Sequence, residues 1–289
     1  MPPKKLFKNK EQQEALDKNG FVTVPFLTTQ ELVQLQSFKD TTHPNNSFPE
    51  KIDGIHMTTW CSDSLYKNKI ATFLHGFYAP PCSRVFENYR TLNDVFITKE
   101  SGAGTSFKVH QDWNVVDEKE NFSINVWVPL HDVDSTNGAL WVVKGSHLID
   151  RHVRGSAYLF PDYSPFFNEL EEVAESVSLK AGEAIVFYAN IIHGSPPNLS
   201  DKERIVTCFT AIPKDAPLTI YFQKNASDPL ELHCPPDDFM YQYDNLRTDT
   251  LEHAPTDKPI EILATYVNEA VKKKELSQFL KPKKEKAVK

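Results

Sequence analysis

The sequence contains no long apolar run. A membrane-spanning helix needs about eighteen or more consecutive apolar residues, and the 289 residues contain no such stretch. The basic start, Met1 to Lys8, is followed by polar residues rather than by the apolar segment of a secretory signal peptide. We therefore expect a cytoplasmic protein that has no membrane partner.

Cysteine is also scarce. The four cysteines, at positions 61, 82, 208 and 234, form no CxxC pair and show no zinc-type spacing. Reduced thiols in an intracellular protein are therefore expected. Because 40% of the residues are hydrophobic, the chain has enough apolar surface for a core without disulfide bonds.

Basic residues are fewer than acidic residues. The chain carries 32 Lys and Arg residues against 39 Asp and Glu residues, which gives a net charge of −7. Proteins bind nucleic acids mainly through basic residues, so this balance argues against a nucleic-acid partner. The basic cluster at residues 281–289 is predicted to be a disordered tail.

The N-terminal region is predicted to be mainly helical with one early strand. A polar helix is expected over 9–19 and a strand over 21–26, where Pro25 favours the edge of a sheet. Thr28 and Glu31 have the spacing of a capping box and predict the start of a second helix. A third helix is expected over roughly 64–77, with an apolar side formed by Leu65, Ile70, Phe73 and Leu74.

The middle of the chain reads as a series of short strands separated by turns. About eight such strands favour a mainly β (α+β) fold with a double-stranded β-helix core, the jelly roll that cupins share. Helices from the two ends of the chain are expected to flank it. The predicted strands are 93–99, 106–112, 121–129, 139–143, 176–180, 183–188, 203–212 and 217–222.

The C-terminal part is predicted to close with an amphipathic helix. Its apolar residues recur at helical spacing, at Ile260, Leu263, Tyr266, Val267, Ala270 and Val271. We expect one domain over 1–289, divided into an N-terminal region, a β-helix core, a C-terminal extension and a tail, at 1–90, 91–222, 223–280 and 281–289.

A short motif indicates a metal site. His110 and Asp112 lie two residues apart, so an extended backbone would point both side chains to one face of a sheet. His193 comes just after a strand-like apolar run. Two imidazoles and one carboxylate on one side of a metal form the facial triad of non-haem Fe(II) oxygenases. A surface His-x-Asp pair that arose by chance is the alternative.

Arg204 indicates a buried anion site. It enters an alternating strand on the face that also carries Val206 and Cys208. A guanidinium inside a barrel is unfavourable unless it meets an anion. The planar fork of arginine is suited to a carboxylate.

Together these segments resemble the phytanoyl-CoA dioxygenase family of Fe(II)- and 2-oxoglutarate-dependent oxygenases. The matching segments, in the family's order, are His110-Gln111-Asp112, Asn137 to His147, His193-Gly194-Ser195 and Arg204. The resemblance implies iron bound by His110, Asp112 and His193. It also implies 2-oxoglutarate with its distal carboxylate on Arg204, with Ser195 beside it and Trp127 near the cosubstrate. Asn125 shares the strand face of Trp127 and is a further cosubstrate candidate. Because Asp112 is retained, a halogenase is not expected.

The residues that contact substrate are less clearly marked. Those beside the metal segments or in the long 149–175 segment, a candidate lid, are Gln111, Trp113, Tyr188 and Arg154. Core packing is the alternative for Trp113 and Tyr188, and a solvated side chain is the alternative for Arg154. Trp60 and His56, in the early loop, are further pocket candidates.

The expected activity is hydroxylation of a small-molecule metabolite at an unactivated C–H bond. The resemblance implies that O2 is consumed and that 2-oxoglutarate is converted to succinate and CO2. The class of substrate stays open among natural products, amino acids and acyl compounds. Desaturation, epoxidation or cyclisation at the same iron centre is one alternative, and a non-enzymatic cupin-like metal-binding protein is the other.

Overall fold

Strands dominate the fold, and short helices surround them. The computed structural model describes residues 5–149, 152–155, 159–247, 252–263, 266–267 and 270–280. Its strands are β1 (Phe21–Pro25), β2 (Ile55–Met57), β3 (Tyr89–Lys99), β4 (Phe107–His110), β5 (Ile124–Pro129), β6 (Trp141–Val142), β7 (Glu175–Ser176), β8 (Glu183–Tyr188), β9 (His193–Ser195), β10 (Arg204–Pro213), β11 (Ile220–Phe222), β12 (Leu230–His233) and β13 (Glu261–Leu263). Its helices are α1 (Lys10–Asn19), α2 (Thr29–Thr42), α3 (Ser64–Val85), α4 (Phe167–Val173), α5 (Phe239–Gln242) and α6 (Lys273–Leu276).

Two antiparallel sheets form the centre of the molecule. The larger has six strands in the order β1-β8-β5-β10-β3-β2, and the smaller has four in the order β4-β9-β6-β7. Strands distant in sequence alternate within each sheet, as they do in a jelly roll. The predicted jelly-roll core is therefore confirmed. The early strand β1 lies at the edge of the larger sheet, as Pro25 predicted, and pairs with β8.

The larger sheet is buried on both faces. On its outer face, Phe209 of β10 packs in one cluster with Leu74 and Tyr78 of α3. On its inner face, Val206 of β10 packs in a second cluster with Val142 of the smaller sheet. This double burial explains why β5 and β10 are buried along almost their whole length rather than at alternate residues.

The N-terminal helices follow their sequence signals. The Asn9 side chain caps α1, and α1 ends at Gly20, which adopts a left-handed φ of 85°. The capping box between Thr28 and Glu31 is present at the start of α2. Helix α3 is longer than expected and continues through Pro80 and Pro81. None of the described helices is both long and apolar enough to cross a membrane.

Two apolar patterns were misleading. The sequence predicts Leu65 on the packed side of α3, but this side chain is 81% exposed. The helix expected over 260–271 is wrong where the chain is described, because Glu261–Leu263 is a strand. That strand pairs with β12, and β12 pairs with β11, so the predicted strand 217–222 belongs to a separate three-stranded sheet. The expected tail, 281–289, lies outside the described residues.

Candidate functional site

Two histidines meet across the smaller sheet. His110 is the last residue of β4 and His193 is the first residue of β9, and the two residues are paired in the antiparallel register. Asp112 follows in the loop after β4, where its backbone N–H donates to the carbonyl of Ala189 at 2.9 Å. The strand predicted to reach residue 112 thus ends two residues earlier, and Ala189 holds the carboxylate segment in place.

The three side chains converge on one point. One ligand atom from each of His110, Asp112 and His193 lies within 4.8 Å of the other two. The Nε2 atom of His110 is 3.6 Å from Oδ1 of Asp112, and Nε2 of His193 is 3.5 Å from Oδ2 of the same carboxylate. The arrangement matches the donor set of a facial triad, with two imidazoles and one carboxylate around one position.

Backbone carbonyls fix both imidazoles in the orientation that a metal needs. The Nδ1–H group of His110 donates to the carbonyl of Lys108 at 2.7 Å. The Nδ1–H group of His193 donates to the carbonyl of Ile191 at 3.0 Å. Because Nδ1 carries the proton in each ring, the lone pair is on Nε2, which faces the shared position.

The carboxylate of Asp112 is also held from behind. Asn125 of β5 donates from Nδ2 to Oδ2 of Asp112 at 2.5 Å. Its Oδ1 accepts a hydrogen bond from the Thr210 hydroxyl at 2.7 Å. Asn125 and Thr210 are paired across β5 and β10, so the larger sheet orients the candidate metal ligand that follows β4.

The electrostatics favour a charged carboxylate at Asp112 and a neutral imidazole at His193. For His110, burial opposes the charged form, but the hydrogen bond and the charge of Asp112 outweigh it and raise the pKa of this imidazole. Burial opposes the charge of Asp112, but the nearby His193 and His110 outweigh it and lower the pKa of Asp112 to about 2. Burial, with the charge of His110, lowers the pKa of His193 to about 4. An ionised aspartate and a neutral imidazole are the forms that bind a divalent metal.

A cavity of about 390 Å³ opens beside the three ligands. Arg204, Ser195, Trp127 and Asn125 all line it. Arg204 is 1% exposed, donates from Nη1 to the Gly138 carbonyl at 3.1 Å, and lies 5.2 Å above the ring of Trp127. Its Nε is buried without a hydrogen-bond partner. Burial lowers the pKa of Arg204 to about 9, as expected for a guanidinium without a carboxylate partner.

A buried lysine lies next to Arg204. Lys99 of β3 is fully buried and is the register partner of Arg204. Its Nζ donates to the Ser195 hydroxyl at 2.6 Å and to the carbonyls of Ser195 and Pro196 at 3.2 and 2.7 Å. Burial, followed by the charge of Arg204, lowers the pKa of Lys99 to about 6. An anion bound near Arg204 would favour the charged form of this amine.

Sequence comparison assigns the chain to a family. The family model for phytanoyl-CoA dioxygenase (PhyH) matches residues 16–206, more than half of the chain. The chain belongs to the phytanoyl-CoA dioxygenase family. The predicted resemblance is therefore confirmed.

Individual members of the phytanoyl-CoA dioxygenase family are moderately similar. A phytanoyl-CoA dioxygenase of Arabidopsis thaliana is 32% identical over 146 residues, which covers 49% of this chain and 50% of the relative. The phytanoyl-CoA dioxygenase domain-containing protein 1 of Danio rerio is 27% identical over 163 residues, which covers 49% of this chain and 56% of the relative. The chain thus spans little more than half the length of these two relatives.

Solved structures agree with the fold. The non-heme alpha ketoglutarate dependent carbocyclase SnoK from nogalamycin biosynthesis superimposes with a TM-score of 0.53 at 17% identity, covering 73% of this chain and 86% of SnoK. EctD from S. alaskensis, solved with 2-oxoglutarate and 5-hydroxyectoine, gives 0.52 at 18% identity, covering 73% and 78%. These likenesses support the jelly-roll architecture.

The residues predicted to contact substrate separate into two groups. Gln111 and Trp113 line the cavity, although the Gln111 amide is already bonded to Tyr163 and to the carbonyl of Asn190. Tyr188 and Arg154 are not among the lining residues. The Tyr188 hydroxyl donates to Asp17, so this ring belongs to the core beside α1.

Arg154 supports the metal segment instead of facing the cavity. It is fully buried, and its Nε donates to the carbonyl of Asp112 at 2.6 Å. Its other nitrogens reach the carbonyl of His152 and a carboxylate oxygen of Glu118. The guanidinium is therefore committed to its own chain.

Several residues in and around the cavity were not predicted from the sequence. Lys99 lies beside Arg204 but does not line the cavity. It had a usable signal, because it occupies the inward face of an alternating strand in the same way as Arg204. Trp60, a pocket candidate, does line the cavity, whereas His56 does not. Other lining residues that were not predicted come from distant segments with no local motif, among them Asn93, Phe160, Met240 and Arg247.

Proposed function

We propose that the protein is an Fe(II)- and 2-oxoglutarate-dependent dioxygenase that hydroxylates a small-molecule metabolite at an unactivated C–H bond. One observation carries the proposal. Three ligand atoms within 4.8 Å of one another lie beside a buried guanidinium that has no carboxylate partner among the described residues. A structural metal site would explain the three ligands, but it would not explain the buried cation.

His110, Asp112 and His193 would hold the iron. Bound there, iron with 2-oxoglutarate and O2 supplies the oxidising chemistry, in which 2-oxoglutarate is converted to succinate and CO2. The residues of the chain prepare the ligands for it. Lys108 and Ile191 hold both imidazoles in the Nδ1–H tautomer, and Asn125 orients the carboxylate of Asp112.

Arg204 would bind the distal carboxylate of 2-oxoglutarate. Its buried Nε and its stacking over Trp127 make it a rigid, partly desolvated donor. Ser195 lies beside it and receives a hydrogen bond from Lys99. With the ammonium donating to its oxygen, the Ser195 hydroxyl is free to donate its own proton to the carboxylate.

The rest of the cavity would hold the substrate and keep out bulk water. Its walls are mainly apolar and aromatic, which suits a small organic molecule. Exclusion of water strengthens the polar contacts near the metal ligands.

The experiment is a metabolite screen by succinate formation. The Fe(II)-loaded protein is mixed with 2-oxoglutarate, air and one compound at a time, and succinate and product mass are measured. A compound that stimulates succinate formation and gains one oxygen atom supports hydroxylation. Loss of two hydrogens would instead identify a desaturase or a cyclase, and absence of succinate with every compound would contradict the proposal.

A further inference from the structure

The cavity extends beyond the metal ligands along an aromatic wall. The His110 ring is 5.5 Å from the ring of Phe107, and Phe107 is 6.0 Å from Trp60 in a stacked arrangement. The guanidinium of Arg247 then lies 5.2 Å above the Trp60 ring. These contacts lead from a metal ligand to a cation, with only aromatic surface in between.

The segment that carries Arg247 is held against residues 59–60, while the Arg247 side chain is exposed and lies over Trp60. The backbone N–H of Leu246 donates to the carbonyl of Thr59 at 3.0 Å, and the Asn245 side chain donates to the carbonyl of Trp60 at 2.5 Å. The N–H of Arg247 donates to Oδ1 of Asn245 at 2.9 Å. Of the described residues that line the cavity, Asp112 is the one with a carboxylate, and it is a metal ligand. Arg247 therefore faces a cavity that offers it no free anion.

A second polar group points into the cavity from the larger sheet. Between the pairs Cys208–Val95 and Thr210–Leu92, strand β3 has one extra residue, which makes a β-bulge. Asn93 lies in this bulge with a left-handed φ of 58°, a conformation that asparagine tolerates better than most residues. Its Oδ1 is buried without a hydrogen-bond partner and its side chain lines the cavity.

An orphaned amide oxygen in a ligand cavity is best explained by a ligand that bonds to it. A buried polar atom left unpaired is destabilising, and the bulge that turns it inward adds backbone strain. A hydroxyl group is the simplest partner, since it donates to an amide oxygen and is small enough for an apolar surrounding. The rest of this region is apolar, formed by Met57, Trp60, Phe107, Trp113, Phe160 and Met240.

We propose that the substrate is a hydroxylated ring compound with a carboxylate. Its carboxylate binds Arg247, its ring lies on the wall of Phe107 and Trp60, and its hydroxyl donates to Asn93. This inference rests on the proposed function, since it assigns the substrate class for the same iron site. The metal ligands then face the part of the ring that lies nearest to His110.

The test measures binding of ring compounds by calorimetry. The protein is loaded with Ni(II) and N-oxalylglycine, which fill the metal and cosubstrate positions without turnover. The probes are 6-hydroxy-2-naphthoate, 2-naphthoate, which lacks the hydroxyl, and 2-naphthol, which lacks the carboxylate. We expect the first to bind most tightly, with a loss of about tenfold without the carboxylate and about fivefold without the hydroxyl.

Variants assign each loss to a residue. The Arg247→Gln protein should bind 6-hydroxy-2-naphthoate and 2-naphthol almost equally, because the carboxylate no longer contributes. It should still bind 6-hydroxy-2-naphthoate more tightly than 2-naphthoate. Asn93→Gly keeps the left-handed backbone. This variant should bind 6-hydroxy-2-naphthoate and 2-naphthoate almost equally, but it should still bind 6-hydroxy-2-naphthoate more tightly than 2-naphthol. Matched controls are Lys144→Gln, an exposed cation away from the cavity, and Asn88→Gly, an exposed asparagine with a φ of 56°.

The outcomes separate this inference from the proposed function. If N-oxalylglycine binds but the three probes bind equally, or if the variants leave both losses unchanged, the substrate class is wrong and the oxygenase assignment stands. If Ni(II) and N-oxalylglycine do not bind either, the proposed function itself fails. The inference is supported if the affinity loss without the carboxylate disappears only in Arg247→Gln and the loss without the hydroxyl disappears only in Asn93→Gly.

Discussion

Lys99 and Arg204 lie opposite each other on adjacent antiparallel strands, and both side chains are buried. Neither has a carboxylate partner among the described residues, and the charge of Arg204 is one cause of the lowered pKa of Lys99. Burial and the neighbouring guanidinium both disfavour the charged form of Lys99. If Arg204 binds the distal carboxylate of 2-oxoglutarate as proposed, that carboxylate would favour the charged forms of both side chains.

Lys99→Met should weaken the binding of 2-oxoglutarate selectively. Removing the ammonium removes one cation and the donor that orients the Ser195 hydroxyl, so we expect an affinity loss of about tenfold. The measurement is calorimetric titration of the Ni(II)-loaded protein with 2-oxoglutarate and with 2-oxopentanoate, which lacks the distal carboxylate. The affinity for 2-oxopentanoate should hardly change.

The control for this prediction is Lys144→Met, which removes an exposed lysine away from the cavity. It should bind both oxo acids like the unmodified protein. An equal loss for both oxo acids in Lys99→Met would indicate a packing role for Lys99 and contradict a role at the distal carboxylate.

Asn125→Ala should lower metal affinity although Asn125 is not a ligand. The change removes the 2.5 Å hydrogen bond to Asp112, so the carboxylate loses its fixed orientation. Such supporting contacts typically contribute about 10–100-fold to metal affinity. Equilibrium titration with Ni(II) measures the effect, and Asn225→Ala, which removes a surface asparagine, serves as the control. Unchanged affinity in Asn125→Ala would show that Asp112 is positioned by other contacts.

Gly194→Ala should disturb the strand that carries His193. A Cβ at this position would lie 2.7 Å from the Trp141 ring and 2.9 Å from the carbonyl of Phe107. Because the second contact is with backbone, β9 must move away from β4, and we expect about 1–3 kcal/mol of lost stability together with weaker metal binding. Urea unfolding of the metal-free protein and Ni(II) titration measure the two effects.

Gly76→Ala is the opposite case and provides the control. Gly76 is exposed in α3, and a Cβ there meets nothing within 4 Å. The change should raise the unfolding free energy by about 0.5–1 kcal/mol without affecting Ni(II) binding. If Gly194→Ala were as well tolerated as Gly76→Ala, the close packing of β9 would not be needed to position His193.

A histidine cluster outside the cavity should make the protein acid-sensitive. The Tyr66 hydroxyl links Nε2 of His43, at 2.8 Å, to Nε2 of His56, at 3.1 Å. Burial lowers the pKa of His43 to about 3 and that of His56 to about 4. Both rings are thus neutral in the folded protein, whereas in the unfolded chain they gain protons below about pH 6.5.

Since the unfolded state binds more protons, stability falls as the pH drops from about 6.5 toward 4. Each of the two groups should contribute a slope of up to about 1.4 kcal/mol per pH unit. Urea unfolding of the metal-free protein between pH 7.5 and 5 measures this slope. His56→Gln should make it shallower, and a slope identical to that of the unmodified protein would contradict the assignment.

The convergence of the three candidate metal ligands could be predicted from the sequence because each carries a local signal. His110 and Asp112 are two residues apart, and His193 follows a buried strand, so topology alone brings them near one another. Arg204 was found by the same reasoning, as a charge on the inward face of a strand. Lys99 is also a charged residue on the inward face of a strand. Its position beside Arg204 follows from the pairing of β3 with β10.

The sequence failed where tertiary contacts outweigh local pattern. Helical spacing of apolar residues after 260 predicted a helix, but pairing with β12 makes Glu261–Leu263 a strand. Arg154 could not be distinguished from a substrate ligand, because its bonds to Asp112 and Glu118 join segments far apart in the sequence. Arg247 reaches the cavity only because its segment is bound to residues 59–60.

Anaerobic calorimetric titration, first with Fe(II) and then with 2-oxoglutarate, tests the central claim most directly. The unmodified protein should bind about one equivalent of each, and 2-oxoglutarate should bind tightly only after the metal. Asp112→Ala should lose Fe(II) binding, whereas Arg204→Met should keep Fe(II) and lose 2-oxoglutarate. A protein that binds no Fe(II), or whose affinity for 2-oxoglutarate is the same with and without Arg204, would contradict the account.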